Sequence, residues 1–575
     1  MKKLLALLLA LCMVFSLAAC SGGSNEPAPA EPADEPTETG DEPFVLNACI
    51  ASEPETIDVS TISSVDGSTY VQHMFENLMK YAQTSEHPAE DSNMYMTEVV
   101  PGQAASYTVS DDGMVYTFTL RDDIFWSDGQ PVTANDWVYS WRRLVNPETA
   151  ADYGYFLDGI VKNAYDIYEE GTMDPSELGI KALDDKTLEI TLESPCPYFI
   201  EMCAFASLMP LREDVVEGND NWTDPANIVV NGPYIITEWV HDSYIKMVPN
   251  DQYYDAANLG PDEIIWHLSD SETAILSSYQ SGEYDFIESF PTDMIESLTA
   301  SGDCFINPYV GTYYLYLNCD KIPSWKVRAA MTLSVDRDHI VNDVTQGGQM
   351  PATGFVASGI LDSEGNDFAY GGSEMGAIYT WLSKQYPDAD LTTYAGKCEL
   401  AKQLYDEAVA DGEWDPNTTV VYNFNTSDTH KAIAEACGHD WQTVLGMTIT
   451  LENQEWATYT NGLGEHAFGV ARLGWIADYN DPITYLELLV TGNAYNYGLY
   501  SDPNYDAAIA SAKATEAGAE RDAMLYSAEE TLFGEGGFPV MPVYYYTNMY
   551  CASRITNMGY TPMGYFFMQY AQPAE

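Results

Sequence analysis

Two side chains of opposite charge, Arg472 and Asp478, interrupt an apolar run. From position 470 to 482 the chain reads Val-Ala-Arg-Leu-Gly-Trp-Ile-Ala-Asp-Tyr-Asn-Asp-Pro. The run has the pattern of a buried strand. A charge inside such a run is costly unless it meets a partner. The spacing of six is even, so on a regular strand both side chains point to one face. At ~3.3 Å per residue they stand about 20 Å apart. A cation and an anion at that separation, with mainly neutral backbone between them, complement a zwitterionic peptide. The competing account is that each charge is met by a neighbouring side chain. This segment by itself leaves both accounts open.

The rest of the chain offers no catalytic set. There is no G-x-S-x-G elbow, no phosphate-binding loop, no G-x-G-x-x-G before a helix and no H-E-x-x-H. The eight histidines are scattered. Besides Cys12 and Cys20, cysteines stand at 49, 196, 203, 304, 319, 398, 437 and 551, without a C-x-x-C or a zinc-type Cys/His spacing. They could pair or remain thiols, and the connectivity is not deducible. The paired acids Asp111-Asp112 and Asp184-Asp185 sit at turn-like positions, where turn formation explains them. Neither a cofactor nor a metal is expected, and the chain does not read as an enzyme.

The N-terminus points to a compartment. Lys2 and Lys3 precede an apolar stretch, Leu4 to Leu17, too short to span a bilayer comfortably. It ends in Leu-Ala-Ala-Cys20, which fits a lipoprotein signal cut before Cys20, with lipid added to that cysteine. An ordinary secretory peptide or an uncleaved helix are the alternatives. Residues 20–43 then form an acidic, proline-rich tether with no Lys or Arg. Such a stretch cannot bury a core and should stay extended. Formal charge is −65, from 23 basic and 88 acidic residues. A body this acidic repels nucleic acid and anionic lipid. The expected location is the extracytoplasmic face of the cell membrane.

About 530 residues follow, enough for two or three domains. Their pattern is mixed. Strands are expected at Met114–Leu120, Thr187–Leu192, Val310–Asn318, Val420–Asn425 and Pro539–Tyr546, the last as the closing strand. Helices are expected at Trp137–Val145, Val327–Val344, Cys398–Ala410, His430–Leu445, Asp506–Lys513 and Arg521–Phe533. Thr133 and Asp136 read as a capping pair before the first of these. Alternating strands and helices predict α/β lobes, each built on a sheet.

Several long segments, in order, resemble one family. Tyr116 to Asp136, Asp174 to Asp185, Trp222 to Tyr234 and Lys326 to Arg337 are similar to the extracellular solute-binding proteins of the peptide/nickel class, family 5. Asn425 to His430, Leu451 to Trp456 and Val470 to Pro482 resemble its oligopeptide-binding branch. The resemblance implies a periplasmic-binding-protein-like type II α/β fold, with two hinged lobes and an extra inserted domain. Domain I would comprise 44–66, 209–310 and 544–575, domain II 67–208, and domain III 311–543. It also implies a monomer that captures oligopeptides and passes them to the permease of an ABC importer. Nickel, haem, an oligosaccharide or a peptide signal are alternative ligands on the same scaffold, and a secreted hydrolase is a reading of another class.

Site residues follow from the same resemblance. Asp478 matches the acid that meets the peptide ammonium, and Arg472 a cation for the carboxylate. His430 matches a second carboxylate contact. Trp456 and Trp475 match aromatic residues around the ligand. Gly474 to Ile476, and the stretch near Glu53, resemble the strands that bond to the peptide backbone. Where some relatives carry an Arg and a Lys for peptides of particular length, this chain has Leu463 and Thr345. His430 as a surface residue and the two tryptophans as plain core are the alternatives. One expectation is independent of the fold. Cys20→Ser should move the protein from the membrane pellet to the soluble fraction in a cell-fractionation assay, and retention in the pellet would sink the lipoprotein reading.

Overall fold

The computed structural model of the protein describes residues 43–50, 53–90, 92–373 and 375–574. The expected signal, Cys20 and nearly all of the expected tether lie outside these, as do Ala51 and Ser52 beside Glu53.

Strand pairing gathers the body around one mixed sheet of eleven strands. Across it, in order, run Thr448–Gln454, Thr419–Asn425, Val470–Ile476, Cys304–Leu317, Val540–Cys551, Phe286–Ile287, Val45–Cys49, Glu263–His267, Tyr244–Pro249 and Tyr234–Val240. Met350–Pro351 pairs beside this path with Val540–Cys551. The two central strands are 14 and 12 residues long. At ~3.4 Å per residue each spans about 40 Å or more, enough to belong to both halves of the sheet. Their pairing is interrupted between Pro308 and Thr312. Cys304–Pro308 faces Thr547–Cys551, and beyond the interruption Thr312–Tyr316 faces Val540–Tyr545. Such irregularities bend and twist a strand pair.

A separate antiparallel sheet holds Ala104–Val109, Val115–Leu120, Thr187–Thr191 and Ile180–Asp184, in that order. A third joins Met79–Gln83 and Met94–Pro101 to the late strands Met558–Tyr560 and Phe566–Phe567. The chain end is thereby stitched to early segments.

Local chemistry explains much of this. Thr133 and Asp136 form the expected capping box at the start of the Ala134–Leu144 helix. Asp136 also accepts the Trp126 indole N–H at 3.2 Å. The helix buries Trp137 and Trp141, whose indole nitrogens donate to Asn77 Oδ1 and the Leu208 carbonyl, both at 2.9 Å. The Asp112 carboxylate accepts the Met114 N–H, and Gly113 has φ 72°, so this acid pair does form a turn. Asp184 does the same with Lys186 N–H. The eight cysteines among the described residues are free thiols.

Three elements differ from expectation. The helix expected over Val327–Val344 breaks after Leu333, restarts at Arg337–His339 and ends in a wide turn, Ile340–Thr345. The break lets the buried Arg337 guanidinium donate to the Pro542 and Thr332 carbonyls. The strand expected from Val310 begins six residues earlier, at Cys304. The strand expected to close the chain continues to Cys551, and short strands follow it.

The loop after Val470–Ile476 is fastened from below. Arg521 forms a two-pronged pair with Asp481, at 2.6 and 2.8 Å, with both residues under a tenth exposed. Tyr198 and Tyr479 stack beside it, centroids 4.3 Å apart and 2° from parallel. Removing one partner of a buried pair leaves the other uncompensated, at a cost of about 3–5 kcal/mol. Arg521→Met is expected to lower unfolding free energy by roughly that amount in urea denaturation, and a loss under about 1 kcal/mol would show that the pair does not hold the loop.

Candidate ligand-binding site

The Val470–Ile476 strand has one satisfied edge and one largely open edge. Along one side it pairs through its full length with Cys304–Leu317, from Val470 opposite Leu317 to Ile476 opposite Gly311. On the other side it pairs with Thr419–Asn425 only at Val470 and Ala471. From Arg472 to Ile476 that second edge has no strand partner among the described residues. Ala471, Leu473 and Trp475 are buried, while Arg472, Gly474 and Ile476 are half-buried.

A cavity of about 630 Å³ lies against this segment. Arg472, Gly474, Trp475, Ile476, Asp478 and Trp456 all line it. The strand stops at Ile476, so Asp478 stands two residues beyond the regular run that was expected to carry it. Both charges nevertheless face one cavity.

Neither charge has a counter-ion: among the described residues, no salt bridge includes Arg472 or Asp478. Asp478 is 6% exposed. Its Oδ1 accepts the Tyr153 hydroxyl at 2.9 Å, and its Oδ2 the Thr484 hydroxyl at 3.3 Å. Burial pushes its carboxyl up to about 8, against the Tyr153 hydrogen bond, with the charge of Glu487 adding to the rise. Arg472 donates to Asn425 Oδ1 at 3.0 Å and to the Tyr546 hydroxyl at 3.5 Å. It lies over the Tyr313 ring, 5.1 Å from the centroid, and its Nε is buried without a partner. The cleft thus holds an anion site and a cation site, each contacted only by neutral groups.

Arg472 and Trp456 also line an adjoining cavity of about 520 Å³, together with His430 and Glu53. His430 Nδ1 lies 3.4 Å from the Tyr313 hydroxyl. Burial, then the nearby Arg472, hold its imidazole well below the usual range. A carboxylate arriving here would meet Arg472 with a neutral His430 beside it. Glu53 is committed elsewhere, since it takes His241 Nδ1 at 2.7 Å and the Asp242 N–H at 2.8 Å. Trp456 donates its indole N–H to Glu55 across the cleft. Trp475 is 6% exposed and packs edge-on to Tyr495 at 4.9 Å, so it is as much wall as contact. Leu463 lines the first cavity.

Sequence reasoning missed the groups that come from distant segments. Tyr153 reaches Asp478 across 325 positions. Asn425 is legible only as a strand end and as the start of a family-like segment, and Tyr309, Tyr495 and Tyr546 not as site residues at all. The abundance of tyrosine was the available signal, but it gave no positions.

The sequence profile of the bacterial extracellular solute-binding proteins, family 5 (middle region), matches residues 98–497. The chain belongs to this family. It is 34% identical over 505 residues to the periplasmic oligopeptide-binding protein OppA of Salmonella typhimurium, covering 86% of each. Haemophilus influenzae OppA in complex with RPPGFSPFR superposes with a TM-score of 0.82 at 27% identity, covering 93% of this chain and all of that one. The murein tripeptide-binding protein MppA of Escherichia coli gives 0.81 at 29% identity, over 93% and 99%. The unliganded open form of MppA gives only 0.61 at 30% identity, over 92% and 98%. The family 5 fold here is therefore multi-domain and periplasmic-binding-protein-like, and its cleft is not set as in that open form.

Closure of the cleft takes Asp478 out of water. In an open form the acid would titrate near the usual ~3.9. In the closed form burial pushes it up to about 8. Between those values the closed form binds a proton that the open form lacks, so rising pH favours opening. Solution scattering of peptide-free protein should show a larger radius at pH 8 than at pH 5, and Asp478→Asn should shrink that difference. A radius that falls with pH, or a difference untouched by the substitution, would contradict the assignment.

Proposed function

We propose that this chain is a lipid-anchored, extracytoplasmic receptor that captures short oligopeptides in the cleft and hands them to the permease of an ABC importer. The observation that carries this reading is the pair Arg472 and Asp478, opposite charges without counter-ions in one cavity. A free peptide supplies both missing partners. Its ammonium would take Asp478 and its carboxylate Arg472, with His430 beside it. The open edge from Arg472 to Ile476 would receive the peptide backbone as an added strand, which gives affinity without reading side chains. Side chains would fall into the two cavities, where water adapts to their differences. The receptor would do no chemistry of its own and would act as a monomer.

The domain limits given above are part of the proposal. Their boundary at 310 and 311 coincides with the interrupted pairing between Pro308 and Thr312. That is a natural place for the two long strands to flex as the lobes close. Anchoring through Cys20 would hold the body near its permease.

The decisive contrast is between free and N-acetylated forms of one peptide. Asp478→Asn keeps the shape of the side chain and removes its charge. Losing the counter-charge of a buried ammonium should cost about 2–5 kcal/mol. An acetylated peptide has no ammonium, so it should bind the wild type poorly and change little with the substitution. Calorimetry on the four combinations isolates the pair energy. Equal weakening of both peptides would mean that Asp478 supports the fold and does not read the peptide end.

A further inference from the structure

A separate cavity of about 570 Å³ lies outside the peptide cleft. Its walls come from residues 155–194 on one side and 487–514 on the other. Six carboxylates line it: Asp158, Asp166, Glu169, Glu193, Glu487 and Asp506. Lys513 is the one cation on the wall, and Glu487 already holds its Nζ at 2.8 Å. Glu487 also accepts the Tyr479 hydroxyl at 3.0 Å, and Asp506 accepts the Thr491 N–H at 3.0 Å.

Asp158 is different. It is 8% exposed, and its Oδ1 is buried with no hydrogen-bond partner. A buried polar group in that state costs free energy, and native folds seldom leave one without a reason. The Asp158 side chain lines the cavity, though this oxygen itself has almost no open surface. A bare metal ion does not suit that space: among the described residues, no group of three or more His, Cys, Asp or Glu is arranged to hold one. An ammonium does. It brings several N–H donors to oxygens on different walls. Its carbon body would lie against Tyr155, Val490 and Ile509, which supply apolar wall.

We propose that this cavity binds a small organic amine, with Asp158 as its counter-charge, and that its occupancy favours closure of the peptide cleft. The coupling follows from construction. The two walls belong to the segments proposed as inserted domain and opposing lobe, so the site is complete only when they meet. Tyr155 on its wall packs edge-on to Tyr495, 5.9 Å between centroids, and Tyr495 lines the peptide cleft. A ligand that prefers the closed state raises peptide affinity, and peptide raises its affinity by the same factor. The coupling rests on the peptide reading, whereas amine binding does not.

Protonation supports the charge logic. Burial pushes the Asp158 carboxyl up to about 8. Lys513 opposes that rise, and Glu169, Glu487 and Glu193 add to it. An arriving ammonium acts in the same direction as Lys513, so amine uptake near neutral pH should release a proton.

The test is calorimetric titration of the peptide-free protein with spermidine at fixed ionic strength, with magnesium chloride as the measure of counter-ion screening. A saturable single-site uptake is expected, at least tenfold weaker in Asp158→Asn and unchanged in the remote Glu399→Gln. Glu193→Gln, on the exposed rim, should weaken it severalfold and serves if Asp158→Asn does not fold. Spermidine at saturation should tighten trialanine binding severalfold. Uptake no different from magnesium, or insensitive to both wall substitutions, overturns the amine site. Amine uptake with unchanged trialanine affinity overturns the coupling. A protein that takes spermidine but no trialanine refutes the peptide reading and leaves the amine site standing.

Discussion

Two opposite charges held in a cavity without counter-ions set the terms for everything around them. An ion taken out of water is expensive, and hydroxyls or amides repay only part of that cost. The protein therefore cannot close cheaply around nothing. Burial favours the protonated form of Asp478, while the Tyr153 and Thr484 hydroxyls that donate to it favour the carboxylate. Arg472 cannot deprotonate, so it leans on Asn425, on Tyr546 and on the face of Tyr313. A ligand that carries both missing charges removes both penalties together. In this account the energy of the unpaired ends becomes the selectivity of the receptor. Enclosure strengthens the effect, because buried charges are screened far less than surface pairs.

The large sheet places those charges. Cys304–Leu317 supports the Val470–Ile476 strand along one edge and continues past the interrupted pairing into the other half of the sheet. Thr419–Asn425 pairs with Val470–Ile476 for two residues and then leaves it. That departure exposes the edge which a peptide backbone would complete. Unpaired edges are normally a liability. Here the residues of that edge line the cavity. Below it, the Arg521–Asp481 pair and the Tyr198–Tyr479 stack fix the loop that carries Asp478.

The sequence disclosed the chemistry better than the geometry. Arg472 and Asp478 were legible because a charge in an apolar run has to be explained, and their even spacing put them on one face. Both do line one cavity, although the strand ends before Asp478 and every residue between them lines it as well. The capping box at Thr133 and the turns at Asp112 and Asp184 were legible because such signals are local. Long-range pairings were not. Nothing in the sequence ties Tyr153 to Asp478 or Trp456 to Glu55. The break at Leu333 was hidden for the same reason: Arg337 turns inward to reach the distant Pro542 carbonyl as well as the nearby Thr332 carbonyl. Nor did charge pattern reveal that one carboxylate of a very acidic chain, Asp158, is buried with an unpartnered oxygen.

The central claim is that the ends of one zwitterionic ligand satisfy Arg472 and Asp478 together. Its most direct test is an atomic-resolution structure of the protein with a free tripeptide or tetrapeptide in the cleft. The account predicts the ligand ammonium within hydrogen-bond distance of the Asp478 carboxylate. It predicts the ligand carboxylate at Arg472, with the backbone paired along Arg472 to Ile476. A peptide bound in the reverse direction, or one whose ends lie in bulk water while both residues remain without counter-ions, would contradict it.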